Sequence, residues 1–302
     1  MPTILIGGGS GLIGARLSEM LVEKGYEVLH LSRSVKGDER YPTYAWDPAK
    51  GEIPDEAIER ADYAVNLAGA GIADGLWTKS RKKVIIDSRV DSTHTLINGF
   101  KRLGQQPKAF VSAAAMGIYG DQGDAWVKET DPPGEGFLSE SCRAWETAID
   151  QAFQAGWRTT GIRIGMVLSA DGGALPKIAL PVRFFIGAYF GSGRQYYSWV
   201  HIDDLCRLFI HALENEAMNG FYNGVAPNPV TGREMVRQIA QALSRPALML
   251  PIPAFLLRLV LGEMADTVLF STRVSAEKTL QTGFDFTFST LDSALRNLLG
   301  KQ

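Results

Sequence analysis

Through the first half of the chain, short apolar runs alternate with longer segments whose apolar residues recur at helical spacing. Thr3 to Ile6, Glu27 to Ser32, Thr43 to Trp46, Tyr63 to Leu67, Ala109 to Ala113 and Thr160 to Val167 read as strands. Between them, Ala15 to Lys24, Thr78 to Leu103 and Ser139 to Ala155 read as helices, and Gly156 sits where a helix-closing glycine belongs. Strands alternating with helices predict an α/β fold built on a parallel, doubly wound sheet. After residue 167 the pattern changes to a stretch punctuated by Gly and Pro, Ala170 to Gly193, and then to short helices near Thr231 to Leu243 and Ala254 to Leu261. We expect residues 1–167, with a returning segment at about 196–225, to form one domain. Residues 168–195 and 226–302 are then a smaller C-terminal lobe that carries substrate contacts.

The first strand runs into Gly7-Gly8-Gly9-Ser10-Gly11-Leu12-Ile13-Gly14 and then into a helix. That order makes a dinucleotide-binding entrance of Rossmann type. Glycines at 8, 11 and 14 let the backbone turn sharply, and the N–H groups at Leu12 and Ile13 open the helix toward a pyrophosphate. In such folds an acid at the end of the second strand accepts the ribose hydroxyls of NAD, whereas an arginine suits the extra phosphate of NADP. Here the strand ends Leu31-Ser32-Arg33-Ser34. Arg33, assisted by the Ser32 hydroxyl, therefore points to NADP. Trp46-Asp47 closes the third strand where an adenine edge would lie. Asn66-Leu67-Ala68-Gly69 closes the fourth with small residues that permit close backbone approach to a ribose.

Charge narrows the partners. The 302 residues carry a formal net charge of −2 with acids and bases interspersed, so we expect neither nucleic-acid binding nor a polybasic membrane anchor. Two cysteines, Cys142 and Cys206, make no metal-ligand spacing, and no metal site is predicted. A strand beginning at the third residue leaves no room for a signal peptide, so the expected location is the cytoplasm. The apolar run Ala254 to Leu261 is far short of the roughly 20 residues that span a bilayer, and we expect it to be a packing helix.

Gly8 to Gly14, Asn66 to Gly69, Ser88-Arg89, Gly117-Ile118-Tyr119-Gly120, Trp145-Glu146, Asp171-Gly172-Gly173, Gly191 to Gln195 and Trp199 to Asp204 stand in one order along the chain. Together they resemble the epimerase family protein branch of the atypical extended short-chain dehydrogenase/reductases, which is akin to nucleotide-sugar epimerases. The resemblance implies an NADP-binding fold, with Arg89, Met166 and Val167 at the nicotinamide end, and an oxidoreductase or epimerase acting on a small molecule. It also implies a homodimer through two long helices, with a monomer as the other expectation.

The standard catalytic set of that superfamily is a Ser or Thr, an Asn and a Tyr-x-x-x-Lys pair, the lysine lowering the phenol's pKa. This chain departs at each place. Phe137 to Cys142 holds neither Tyr nor Lys, Ala115 or Met116 stands at the serine, and Arg89 at the asparagine. Ser112 and Tyr119 remain as substitute proton-transfer candidates, with Arg89 or Lys177 as the assisting cation. The other readings are a reductase that draws its proton from water, and a noncatalytic NADP(H) sensor or interaction protein. Lys177 and Arg194 are the candidate substrate contacts, Arg194 because Gly191-Ser192-Gly193 lets the chain approach a phosphate or carboxylate. His201 is expected to serve packing rather than base catalysis, with Asp203 or Asp204 as a helix N-cap.

Overall fold

The computed structural model describes residues 1–300. Its chain forms two compact units. The first comprises 1–114, 141–162 and 206–222, and the second 115–140, 163–205 and 223–302.

The first unit is built on the predicted sheet. Strands β1 (Thr3–Gly7), β2 (Glu27–Ser32), β3 (Thr43–Ala45), β4 (Tyr63–Asn66), β5 (Phe110–Ala115), β7 (Thr159–Ile164) and β12 (Gly220–Gly224) lie in the order β12-β7-β5-β4-β1-β2-β3. β1 pairs in parallel with both β2 and β4, β2 with β3, and β4 with β5. All five residues of β1 are buried, as a strand covered on both faces requires. Helices α1 (Leu12–Glu23), α2 (Asp55–Glu59), α3 (Lys79–Arg102) and α4 (Gly136–Gln154) complete the winding. α3 persists for 24 residues because the Thr78 hydroxyl accepts from Arg81 N–H at one end and Lys101 and Arg102 offset the dipole at the other. Leu5, Leu29, Ile58, Leu96, Phe100 and Trp157 lie in one apolar cluster, with the Phe100 and Trp157 rings edge to face at 5.8 Å.

Three expectations change. The sheet has seven strands rather than six, because Gly220–Gly224 returns to its edge. The run 160–167 is not one strand: it breaks at Gly165, whose N–H turns to the Gly224 carbonyl, and Met166 N–H donates to Ser198 at 2.8 Å. Residues Met166–Leu168 thus form β8, paired with β11 (Trp199–His201) in the second unit. Third, residues 115–140 belong with the later segments, and the part that returns to the first unit is 206–222 rather than 196–225. Within that unit β6 (Trp126–Val127) pairs in parallel with β15 (Arg273–Val274) and Tyr119 bonds Asn223, which ties 115–140 to the later segments.

In the second unit, α5 (Ala174–Arg183) and α7 (Gly232–Ala242) accompany small two-stranded sheets, while α6 (Ile202–Glu214) begins in this unit and runs from Cys206 onward in the first. β9 (Ile186–Phe190) pairs in parallel with β14 (Leu248–Ile252), and β10 (Tyr196–Tyr197) antiparallel with β13 (Val230–Thr231). Leu175, Val182, Trp199, Met235, Ile239 and Leu295 fill its core. The expected packing helix, α8 (Ala254–Leu261), buries none of its residues. Its apolar side chains are not matched by a core-facing partner, so the helix was legible but its role was not.

Candidate functional site

The predicted glycine-rich turn joins β1 to α1. Gly8 has φ +82, and a Cβ there would lie 2.8 Å from Ala68 N, so only glycine lets this turn rest against the end of β4. A Cβ on Gly14 would collide with the Gly8 carbonyl oxygen. Gly11 N–H donates to Gly8 O at 3.1 Å, and the helix begins at Leu12 with no capping side chain. Its first-turn N–H groups, those of Leu12 and Ile13 among them, are therefore left for an anion.

At the end of β2 the Ser32 hydroxyl donates to Ser34 O at 2.7 Å, which fixes the turn that carries Arg33. Arg33 is exposed and borders a cleft of about 620 Å³ lined also by Trp46, Asp47, Glu52, Ile53 and Arg102. Two of the other charged groups there are engaged. Asp47 accepts from Ala49 N–H and pairs with Lys50 at 3.0 Å, and that lysine holds its carboxyl below the usual range. Arg102 pairs with Asp55 at 2.6 Å. Arg33 has no such partner among the described residues.

Asn66 lies at the end of β4, beside Ser112 of β5 in register. Its amide donates to Thr93 Oγ1 at 3.0 Å and its oxygen accepts from Ala68 N–H at 3.1 Å. Fully buried, Asn66 shapes Leu67, Ala68 and Gly69 and offers nothing to a ligand directly. The half-buried Leu67 and Ala68 and the exposed Gly69 are what the segment presents.

Arg89 of α3 packs against Gly69 and stacks its guanidinium on the Trp145 ring at 5.1 Å. Its one hydrogen bond goes to Ile85 O, a carbonyl of its own helix, at 2.8 Å. Desolvation pulls its pKa down, and the Arg81 charge acts in the same direction. Trp145 Nε1 and Arg81 Nε are buried with no acceptor. Donors without acceptors thus gather in one part of the first unit, the arrangement an anionic group would satisfy.

The predicted proton-transfer residues are not available. Ser112 is fully buried and donates to Ala113 O at 3.0 Å. Tyr119, in the second unit, is also fully buried: its hydroxyl donates to Asn223 Oδ1 at 2.7 Å and accepts from Arg163 at 2.9 Å. Burial pushes the phenol up to about 12 despite the cation beside it. We withdraw both from the catalytic role, because neither hydroxyl has an accessible lone pair or proton to offer.

Met166 and Val167 are half-buried on β8 opposite Trp199 and Val200. Lys177 is exposed on α5 and lines a cavity of about 150 Å³ with Ile178, Tyr189, Tyr197, Met235 and Ile252. Arg194 is exposed and does not line it. His201 is buried, stacked on Phe288 at 3.9 Å, with Nδ1 accepting from Asp203 N–H at 3.0 Å and Nε2 bonded to Asn297. The histidine itself caps α6. Asp204, expected as a cap, instead accepts from the N–H groups of Thr287 and Phe288.

The profile of the NAD dependent epimerase/dehydratase family matches residues 4–223. The chain belongs to this family. A second profile, a domain of unknown function (DUF1731), matches residues 252–298. The epimerase family protein YfhF of Bacillus subtilis is 34% identical over 298 residues, 98% of this chain and 97% of its own. The crystal structure of human epimerase family protein SDR39U1 with NADPH superposes with a TM-score of 0.88 at 32% identity, covering 99% of this chain and all of that one. The UDP-glucose 4-epimerase of Thermotoga maritima, solved with UDP-glucose, gives a TM-score of 0.81 at 19% identity, over 98% of this chain and 97% of that one, and shares the fold.

Sequence reasoning missed several residues of this epimerase-family chain. Arg163 lay unremarked in a strand, and Arg273 lay in a segment without periodicity. Arg273 is held between the Trp126 ring at 4.2 Å and the Tyr196 ring at 4.6 Å, with its Nε buried and lacking an acceptor. No spacing signal marks such residues, since their partners are remote in sequence.

Proposed function

We propose that this chain is an NADP(H)-dependent oxidoreductase or epimerase acting on a small molecule, a nucleotide sugar being one candidate. The observation that carries the reading is Arg33, a cation without a carboxylate partner at the end of β2, beside the 620 Å³ cleft, in the position from which a dinucleotide-binding fold reads the 2′ end of the adenosine ribose. The residues fit that group. Arg33 with Ser32 would hold the 2′-phosphate, the turn Gly8 to Gly14 the pyrophosphate, Leu67 to Gly69 the ribose, and Arg89 the nicotinamide half. The human relative crystallised with NADPH supports the choice of cofactor. When bound, NADPH supplies a hydride.

A second reading has its own support. Because the Ser112 and Tyr119 hydroxyls are buried and internally bonded, a noncatalytic NADP(H)-binding sensor fits as well as an enzyme. Net NADPH consumption with a panel of carbonyl compounds favours a reductase; epimerised sugar without consumption favours an epimerase; binding without turnover favours the sensor. We further assign the protein to the cytoplasm, as a monomer or homodimer. Cys142 and Cys206 are buried thiols, as a reducing compartment leaves them, and among the described residues no helix is long and apolar enough to cross a membrane.

The cofactor reading is tested by fluorescence titration of the protein and of Arg33→Ala with NADPH and NADH. Loss of a charge-assisted phosphate contact should weaken NADPH roughly 10- to 100-fold and NADH less than about 2-fold. Equal losses for both cofactors refute the phosphate role.

A further inference from the structure

Net charge over the whole chain conceals a local segregation. Residues 174–190 and 243–262 contain Lys177, Arg183, Arg245 and Arg258 and not one Asp or Glu, in a chain with 33 acids. Both segments meet in the parallel β9–β14 pair, where Ile186 lies opposite Leu248 and Leu248 N–H donates to Phe185 O at 2.9 Å. Ten of the seventeen large apolar side chains exposed among the described residues fall in these two segments.

Their geometry is that of a face. Along β14, Leu248 and Leu250 are exposed while Met249 between them turns inward against Gly187. In parallel register Ile186 points to the same side as Leu248. The strand then passes through Pro253 into α8, whose Phe255, Leu259 and Val260 are 69%, 80% and 68% exposed. Just before β9, Phe184 is 68% exposed and Phe185 adopts φ +64, a conformation an aromatic residue rarely takes, with its ring under Arg245 at 5.3 Å. Strain of this kind persists where the surroundings impose it, and here it keeps two phenylalanines at the surface.

We propose that this face, formed by the end of α5, the β9–β14 pair and α8, docks on an anionic lipid surface. Apolar side chains would enter the headgroup boundary while Arg183 and Arg245, which have no carboxylate partner, meet lipid phosphates and carboxylates; Arg258 is shared with Asp266 at 3.2 Å. α8 has eight residues, too short to span, so the attachment is peripheral. A second copy of the chain is the poorer occupant. A two-fold contact through this face would set its arginines against one another with no acid on the face to pair them. The expectation that no membrane is involved thus rested on an average over the chain.

The test is co-sedimentation of the full chain with vesicles of phosphatidylcholine alone and of a roughly three-to-one mixture with phosphatidylserine. We expect binding to the mixture only, weakened by salt, reduced about fivefold by each of Arg183→Glu and Arg245→Glu and abolished by Leu259→Asp. These positions are exposed, and thermal melts that match the unchanged protein establish that each variant is folded. Absence of binding to the mixture, equal binding to both vesicles, or binding indifferent to the variants overturns the proposal. So does a dimer in light scattering that Leu259→Asp dissolves, because a second copy would then cover the face. None of these readouts depends on the cofactor.

Discussion

Arg163 and Arg89, one in each unit, are both withdrawn from water, the first fully and the second in part, and they are treated oppositely. Arg163 donates to the Tyr119 phenol and to Glu129 O, and the same Glu129 accepts Asn223 N–H. Arg89 reaches a carbonyl of its own helix and a tryptophan face, with Arg81 nearby to repel it. Burial of a charge is costly unless hydrogen bonds and opposite charge compensate it. Arg163 has its compensation within the chain and is part of the scaffold. Arg89 makes no such bonds to a second element, in keeping with the proposal that its partner is the cofactor.

The contrast is broken or sharpened by measurement. Removing Arg163 with Arg163→Met strands Tyr119 and Glu129 O and should cost about 3 kcal/mol in urea unfolding. A loss below about 1 kcal/mol would place Arg163 outside the scaffold. Arg89→Met should leave the cofactor-free protein as stable as before, or more so, while weakening NADPH roughly 10- to 100-fold in a binding titration. Destabilisation comparable to that of Arg163→Met would erase the distinction.

Tyr119→Phe deletes two hydrogen bonds, the one its hydroxyl gives to Asn223 and the one it accepts from Arg163, and should cost about 2 kcal/mol. Its folded-state phenol, raised to about 12, favours the neutral form, so its contribution is intact below the unfolded value of 10 and lost as pH rises through 12. Stability measured across that alkaline window should fall less steeply in the variant, and any turnover should keep its neutral pH profile. A neutral-pH rate collapse in Tyr119→Phe would restore the phenol to catalysis.

The smallest effect concerns His30, buried behind the glycine turn with Nε2 2.8 Å from Ser18 Oγ. Burial holds its pKa below the usual 6.5. Its contribution is therefore present above pH 6.5 and lost as pH falls through the folded-state value, and His30→Gln should flatten acid unfolding by less than about 1 kcal/mol. Acid unfolding that is just as steep in the variant would assign the titration elsewhere.

Much of the first unit was legible because its signals are local. The buried run Thr3 to Ile6 and the glycines at fixed offsets carry signals that lie within a few residues of one another, so the fold class followed from spacing. The burial of the Asn66 side chain did not, because its partners Thr93 and Ser92 sit on another element. Ser112 and Tyr119 were chosen for chemical type, and type carries no information about burial. Arg163 and Asn223 meet across 60 residues of chain, and the cationic apolar face joins two segments almost as far apart. The sequence by itself determined the alternating strand and helix pattern, the glycine turn and the arginine in place of an acid. Only the tertiary structure decided which cations are compensated, which hydroxyls are consumed and which apolar helix stays uncovered, because those depend on packing between residues that no periodicity links.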